Sequence, residues 1–149
     1  MDAKAVRLED YPSVARDKLR YGDTDRQGHV NNAVFATFLE TGRVEALFGA
    51  ASGSGIDLAD EGAAFVIARL ELDFLAEIRW PGEVAIGTRV LKIGTSSMRL
   101  EQAVFQNEVC AARAVSVIVQ MDETTRKSRP LSPAAVARLT QLISSNDNA

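Results

Sequence analysis

Several side chains that could do chemistry gather in twelve residues of this chain, 21–32, which read YGDTDRQGHVNN. The stretch holds two carboxylates (Asp23 and Asp25), the only histidine (His29), two amides (Asn31 and Asn32) and a glycine, Gly28. A positioned carboxylate can attack an electrophile or take a proton from water. A histidine beside it can orient that acid, orient a water, or hydrogen-bond a bound carbonyl. Loops that join regular elements and carry several charged and amide side chains are common homes for function. Asp and Asn also close turns through their own side chains. By residue type alone, turn capping is the simpler reading of both acids.

Other nucleophiles are scarce. Cys110 lies near the start of an apolar alternating segment with nothing local to activate it, and reads as a small buried hydrophobe. No Gly-x-Ser-x-Gly elbow is present, and Gly53-Ser54-Gly55 does not make one. One cysteine excludes an internal disulfide, and one Cys with one His excludes a Cys/His zinc site, so no metal is expected. The net charge of −3 argues against a general attraction to nucleic acid or an anionic membrane surface. No apolar run approaches the roughly 20 residues of a membrane helix, and the first residues lack the apolar core of a signal peptide. The expected location is the cytoplasm. At 149 residues and 46% hydrophobic, the chain suits one soluble domain with a core.

The elements that must position the 21–32 stretch follow from periodicity. Residues 1–12 read as a loosely held lead-in. Residues 14–21 alternate, with Arg16, Lys18 and Arg20 on one side and Leu19 and Tyr21 on the other, which predicts a strand with one wet face. Residues 31–49 read as a helix with Asn31 as N-cap and Gly49 as its stop. Val34, Phe35, Phe38, Leu39, Gly42 and Ala46 form its apolar face, and Val44, Leu47 and Phe48 fall elsewhere on the wheel. Apolar residues on several sides predict a helix largely enclosed by other elements. Residues 50–62, rich in Gly, Ser and Ala, predict a connection with a turn of helix around 56–60. At this length it serves as a lid or as a plain surface loop.

From Ala63 the period changes to two. Strands are predicted from residue 63 to about 74, then over 83–93, 97–106 and 109–121, with turns at Trp80-Pro81-Gly82, Gly94-Thr95 and Asn107-Glu108. The last strand has small or apolar residues on both faces (Val115, Val117, Val119 against Ala112, Ala114, Ile118) and should be central and covered on both sides. Ser132 caps a final short helix with Pro133 at its first position and Val136, Leu139, Leu142 and Ile143 as its stripe. Residues SSNDNA fray off its end. The economical packing is α+β: a curved antiparallel β-sheet wrapped around one long central helix, the hotdog arrangement, plus a short C-terminal helix. Such a sheet leaves an edge that a second copy would cover, so a homodimer or homotetramer is expected.

The stretch YGDTDRQGHVNNAVFATFLETGRVEAL resembles the motif Asp-x-Asp-x-x-Gly-His-Val-Asn-Asn that opens the 4-hydroxybenzoyl-CoA thioesterase-like group of hotdog acyl-CoA thioesterases. Asp23, Asp25, Gly28, His29, Val30, Asn31 and Asn32 all match it. ELDFLAEIRWPGEVAIGTRV and AVSVIVQMDETTRKSRPLSP are similar to later strands and turns of the group, so the resemblance covers about residues 12–134 of a single domain spanning 1–149. Departures are small: Glu83 stands where Asp is commoner, and Asn107-Glu108 occupies a turn often rich in Gly.

The resemblance implies an enzyme, a thioesterase that cleaves an acyl-CoA, or an acyl carrier protein thioester, to a free acid. It places the catalytic role on Asp25 as nucleophile or general base. A helix N-terminus offers backbone N–H donors to a developing oxyanion. Those of Asn32, and of Val30 or Asn31, are the expected donors here. Gly28 is expected to give the loop a shape that lets the chain approach the ligand, Asp23 to stabilise a turn, and His29 to orient Asp25, a water or the substrate carbonyl. Phe35 and Phe38 are expected along the acyl group. The coenzyme phosphates call for basic side chains: Arg126 and Lys127 with Arg129 form one cluster, and Arg89, Lys92 and Arg99 another. Glu40 and Glu45 on the helix are secondary acids. No cofactor is expected, coenzyme A being part of the substrate, and no nucleic-acid or membrane partner. Two other readings use the same fold: a hydratase or dehydratase, which needs a His/acid pair, and a non-catalytic acyl-CoA-binding module.

Overall fold

The computed structural model describes residues 5–48 and 59–143. Its elements are β1 (Ser13–Lys18), α1 (Asn32–Phe48), β2 (Ala63–Phe74), β3 (Glu83–Ile93), β4 (Ser97–Gln106), β5 (Val109–Asp122) and α2 (Pro133–Thr140). The five strands form one antiparallel sheet in the order β1-β3-β4-β5-β2, and α1 packs across it. This is the hotdog arrangement expected from the sequence. The order follows from turn chemistry. Asn107 and Glu108 both take positive φ (50° and 69°), which closes a two-residue hairpin between β4 and β5. Ser132 Oγ accepts the N–H of Ala135 at 3.1 Å and starts α2 behind Pro133. The expected helix stop at Gly49, the turn of helix around 56–60 (up to 58) and the terminal SSNDNA lie outside the described residues.

The core forms where α1 meets the inward face of the sheet. Near the start of α1, Phe35, Phe38 and Leu39 pack with Leu19, Val30, Ile78, Val84, Ile86 and Val104. Toward its end, Ala46 and Leu47 pack with Val90, Met98, Leu100, Ile118 and Leu139. Between the two clusters, Gln102 Nε2 donates to the Leu39 carbonyl (3.0 Å) and to Thr88 Oγ1 (2.9 Å). Gly42 lets the helix come this close, because a Cβ there would overlap Ile86.

Several details differ from the periodic reading. Among the described residues one side of α1 is enclosed, while Ala36, Thr37, Glu40 and Val44 face outward. On β5, residues 112, 114, 116, 118 and 120 are buried, while Val115, Val117 and Val119 are only half-buried. The single layer of sheet packs its inward face on the helices, and among the described residues its other face stays partly open. β1 stops at Lys18, and Tyr21 is 75% exposed, because the chain turns into a 3-10 helix at Tyr21–Asp23. On α2 the buried positions are Ala135 and Leu139, with Leu142 just beyond, while Val136 is 37% exposed. The described part of the lead-in, from residue 5 on, is not loose. Tyr11 is 4% exposed, lies over Gly87 on the convex face, and packs with Ala85, Ala103 and Phe105.

Candidate active site

The loop between β1 and α1 is built by its own hydrogen bonds. The Arg20 N–H donates to Asp23 Oδ2 (2.9 Å), which closes the 3-10 turn, and the Thr24 hydroxyl donates to the Tyr21 carbonyl (2.7 Å). Asp23 therefore acts as a turn acceptor. Next, the Asp25 N–H donates to the His29 carbonyl (2.8 Å), and the Gly28 N–H donates to the Asp25 carbonyl (3.1 Å). Gly28 has φ +80°, a conformation that disfavours any residue with a Cβ. The space where its Cβ would stand is open within 4 Å, so backbone shape rather than close approach explains the glycine.

Asp25 is exposed and fixed through one oxygen. Its Oδ1 accepts the N–H groups of Gln27 (2.9 Å) and His29 (3.2 Å). Its Oδ2 has no partner among the described residues. Such a carboxylate is held in place with a free oxygen to use.

The helix N-terminus is more selective than expected. Asn31 Oδ1 accepts the N–H of Ala33 (3.0 Å), so Asn31 is the N-cap. Its own N–H is spent on the Asp23 carbonyl (2.8 Å), and that of Val30 on the Ile78 carbonyl (2.8 Å). Neither can serve as an oxyanion donor. The N–H of Asn32, first residue of α1, has no partner among the described residues. It is the donor left open, at the positive end of the helix dipole.

The other expected contacts separate. Val30 is a core residue at 4% exposure. Phe35 and Phe38 are also core, at 3% and 0%; Phe35 meets Phe38 (centroids 6.2 Å apart) and the edge of Phe74 at 5.1 Å. Arg126 and Lys127 follow the C-terminal end of β5, whereas the Asp25 loop meets the sheet at the opposite end, where the Leu19 N–H bonds the Gly82 carbonyl. Ten steps along β5, from Ala112 to Asp122, separate the two ends, about 33 Å measured along the strand. Within one chain, Arg126 and Lys127 therefore lie at the opposite end of the sheet from Asp25. Arg89 is engaged on the convex face with Glu101. The basic side chains at the Asp25 end are Lys18, Arg20, Arg26 and Arg79, which the clustering of charge along the sequence did not single out.

Glu77 was also missed. Its Oε2 lies 3.2 Å from His29 Nε2 and 3.0 Å from Arg79 Nη2. The 77–80 segment reaches the loop because Thr24 bridges Val30 and His29 bridges Arg79 as short antiparallel ladders. No local signal marks Glu77 in the sequence; only its sheet neighbours give it meaning. A cavity of about 620 Å³ lies elsewhere, between Arg7–Glu9, Arg16, Glu83, Ala85, Phe105 and the Asn107-Glu108 turn, and includes no residue of the loop.

Comparison with known proteins bears on what this geometry serves. The family model described as the thioesterase-like superfamily matches residues 19–139. The chain is similar to the chloroplastic acyl-acyl carrier protein thioesterase ATL2 of Arabidopsis thaliana, with 30% identity over 117 residues. The match covers 75% of this chain and 60% of that protein, so the chain spans about 60% of its curated relative. Among solved structures, a thioesterase of Thermus thermophilus complexed with coenzyme A and Zn is 36% identical, with TM-score 0.76, over 90% of this chain and 96% of that one. The PA5185 protein of Pseudomonas aeruginosa strain PAO1 shares the fold at 24% identity, with TM-score 0.81, over 93% and 96% of the two chains.

Proposed function

The chain belongs to the thioesterase-like superfamily, and from that premise we propose that it hydrolyses an acyl-CoA thioester to a carboxylic acid and free coenzyme A. One observation carries the reading: Asp25 is clamped through Oδ1 while Oδ2 is free, seven residues ahead of the open N–H of Asn32. Asp25 can act in either of two ways. As a nucleophile, its oxygen adds to the thioester carbonyl; the C–S bond breaks, the thiolate takes a proton from water, and water then cleaves the aspartyl anhydride. As a base, it takes a proton from water as that oxygen bonds to the carbonyl carbon, and passes the proton to the departing sulfur. Both routes place negative charge on the carbonyl oxygen, which the Asn32 N–H stabilises. His29, beside Asp25, positions the water or the carbonyl, and the Gly28 backbone shapes the approach. Every step is a polar addition or elimination, so the proposed reaction needs no cofactor beyond the coenzyme in the substrate. We place it in the cytoplasm.

The test is a panel of short, medium, long and aromatic acyl-CoA esters, with one acyl carrier protein ester, followed by free thiol release. We expect at least one to be hydrolysed. Binding without thiol release would favour a non-catalytic module. Loss of the conjugated absorbance of a 2-enoyl-CoA, without thiol release, would favour a hydratase working through the His29–Glu77 pair.

We also propose that the active form is a homodimer joined along β2, alone or within a tetramer. β1 is a short edge bearing Arg16, Asp17 and Lys18, which discourages pairing. β2 is a 12-residue edge with Ile67 (47%), Leu70 (39%) and Phe74 (50%) exposed. A second copy pairing antiparallel there would reverse the ends of the sheet. It would bring the partner's 126–127 turn toward this chain's Asp25, the one route by which that turn could meet the coenzyme phosphates. The mass in solution checks this: a single species at the monomer's 16.1 kDa would overturn it.

A further inference from the structure

The pairing between the loop and the 77–80 segment does more than close the fold. His29 stands opposite Arg79 in an antiparallel bridge, and the Val30 N–H bonds the Ile78 carbonyl. Glu77, two residues before Arg79, is the diagonal neighbour of His29 and lies on the same face. Its Oε2 is 3.2 Å from His29 Nε2. The same oxygen is held by Arg79 Nη2 at 3.0 Å. Arg79 is itself clamped: its N–H donates to Gln106 Oε1 (3.0 Å), and its carbonyl accepts from Gln106 Nε2 (2.8 Å). The ring of His29 is thus met by a carboxylate fixed from behind by two further contacts on the β4–β5 hairpin.

The arrangement has little to do with stability. Glu77 and Arg79 are more than half exposed, and ion pairs of that kind are worth about 0–1 kcal/mol. Its consequence is orientation. A carboxylate facing Nε2 takes an N–H from it, and the hydrogen bond at one ring nitrogen decides which nitrogen carries the proton. The neutral ring then carries its proton on Nε2 and keeps its lone pair on Nδ1.

We propose that Glu77, held by Arg79 and Gln106, is the positioning residue that fixes the imidazole of His29 with Nε2 protonated and Nδ1 as the working nitrogen. The role in turnover rests on the thioesterase reading above. In that reaction Nδ1 accepts a hydrogen bond from the water that attacks the acyl carbon or its anhydride.

His29 is the only histidine, so ring-nitrogen NMR of the full ¹⁵N-labelled chain reads this one ring without ambiguity. The wild-type ring in its neutral form is expected to be protonated at Nε2. Glu77→Ala is expected to spread the proton over both nitrogens and to lower kcat about tenfold, a part of the full general acid–base effect, with KM within about twofold of wild type. Glu77→Gln, whose amide oxygen can still accept the N–H, is expected to restore the Nε2 form and most of the rate. Ring signals in Glu77→Ala identical to wild type would overturn the proposal, as would a Glu77→Gln variant that keeps the Nε2 form but recovers no rate. The ring signals are read without substrate. They therefore decide the placement of His29 even if the wild-type chain releases no thiol, an outcome that would sink the thioesterase reading instead.

Discussion

Asp25→Asn is expected to lower kcat for thioester hydrolysis by about a thousandfold while leaving acyl-CoA binding and the unfolding midpoint near wild type. A general base or acid contributes about 10²–10⁴ in rate, and a lost nucleophile is of similar consequence. The amide keeps an oxygen able to accept the N–H groups of Gln27 and His29, so the loop keeps its shape. It has neither the charge to attack a carbonyl nor the basicity to deprotonate water. Asp25→Ala removes that acceptor as well, at about 0.5–1.5 kcal/mol per hydrogen bond. It is expected to combine the same rate loss with a small drop in stability. Comparing the two variants separates chemistry from loop structure. Cys110→Ala provides the control. Burial pushes the Cys110 thiol up, its Sγ–H donates to the Ala112 carbonyl at 3.4 Å, and it packs against the Tyr11 cluster on the convex face. Its replacement should leave turnover unchanged. Thiol-release kinetics with calorimetric acyl-CoA binding decide the matter: an Asp25 variant with near-full kcat, or an inactive Cys110→Ala, would move the site elsewhere.

The second large effect lies far from the loop. Glu101→Ala is expected to cost about 3–5 kcal/mol of stability, because removing one partner of a buried ion cluster strands the others. Glu101 is 5% exposed and accepts from Tyr11 (3.0 Å), Arg89 (2.9 and 3.0 Å) and Arg113 (3.0 Å). Without it, two guanidiniums with side-chain exposures of only 15% and 12% face each other under Tyr11. Burial opposes the charge on Glu101, but the hydrogen bonds from Arg89 and Arg113, with help from Tyr11, hold its carboxyl below the usual 4.5. A group whose pKa is depressed on folding contributes stability above its unfolded value and loses it as pH falls through the folded value. The gap between wild type and Glu101→Ala should therefore be full at pH 7 and close progressively below about pH 4.5. Urea midpoints from neutral to acid pH measure it. A gap under about 1 kcal/mol at pH 7, or one that widens toward acid, would contradict the account.

Both expectations concern the same sheet, yet they were legible to different degrees. The four strands after residue 63 announce themselves by period-two alternation, and three of them begin where the turns at Gly82, Gly94 and Glu108 end. Asn31 and Ser132 mark their helix starts because a cap bonds within its own first turn. The Asp25 loop belongs to this class too, since its carboxylate is held by N–H groups only two and four residues on. Interactions of that range depend on residue type and spacing alone, and those are written in the chain.

Which groups remain free was decided elsewhere. Val30 and Asn31 look as available as Asn32 along the chain, but the fold spends their N–H groups on Ile78 and Asp23. Glu77 reaches His29 from 48 positions away only because the segment after β2 pairs with the loop. Tyr11 finds Glu101 ninety residues on, which ties the end of an expected loose lead-in to the sheet. Arg126 and Lys127 emerge at the opposite end of the sheet from Asp25, a placement no composition reveals. The sequence by itself determined the elements, their N-caps and the turn that holds Asp25, through contacts between near neighbours. Only the tertiary structure decided which donors stay open, which carboxylate meets the histidine and which cations are within reach, because these depend on which strands become neighbours and at which end of the sheet each turn emerges.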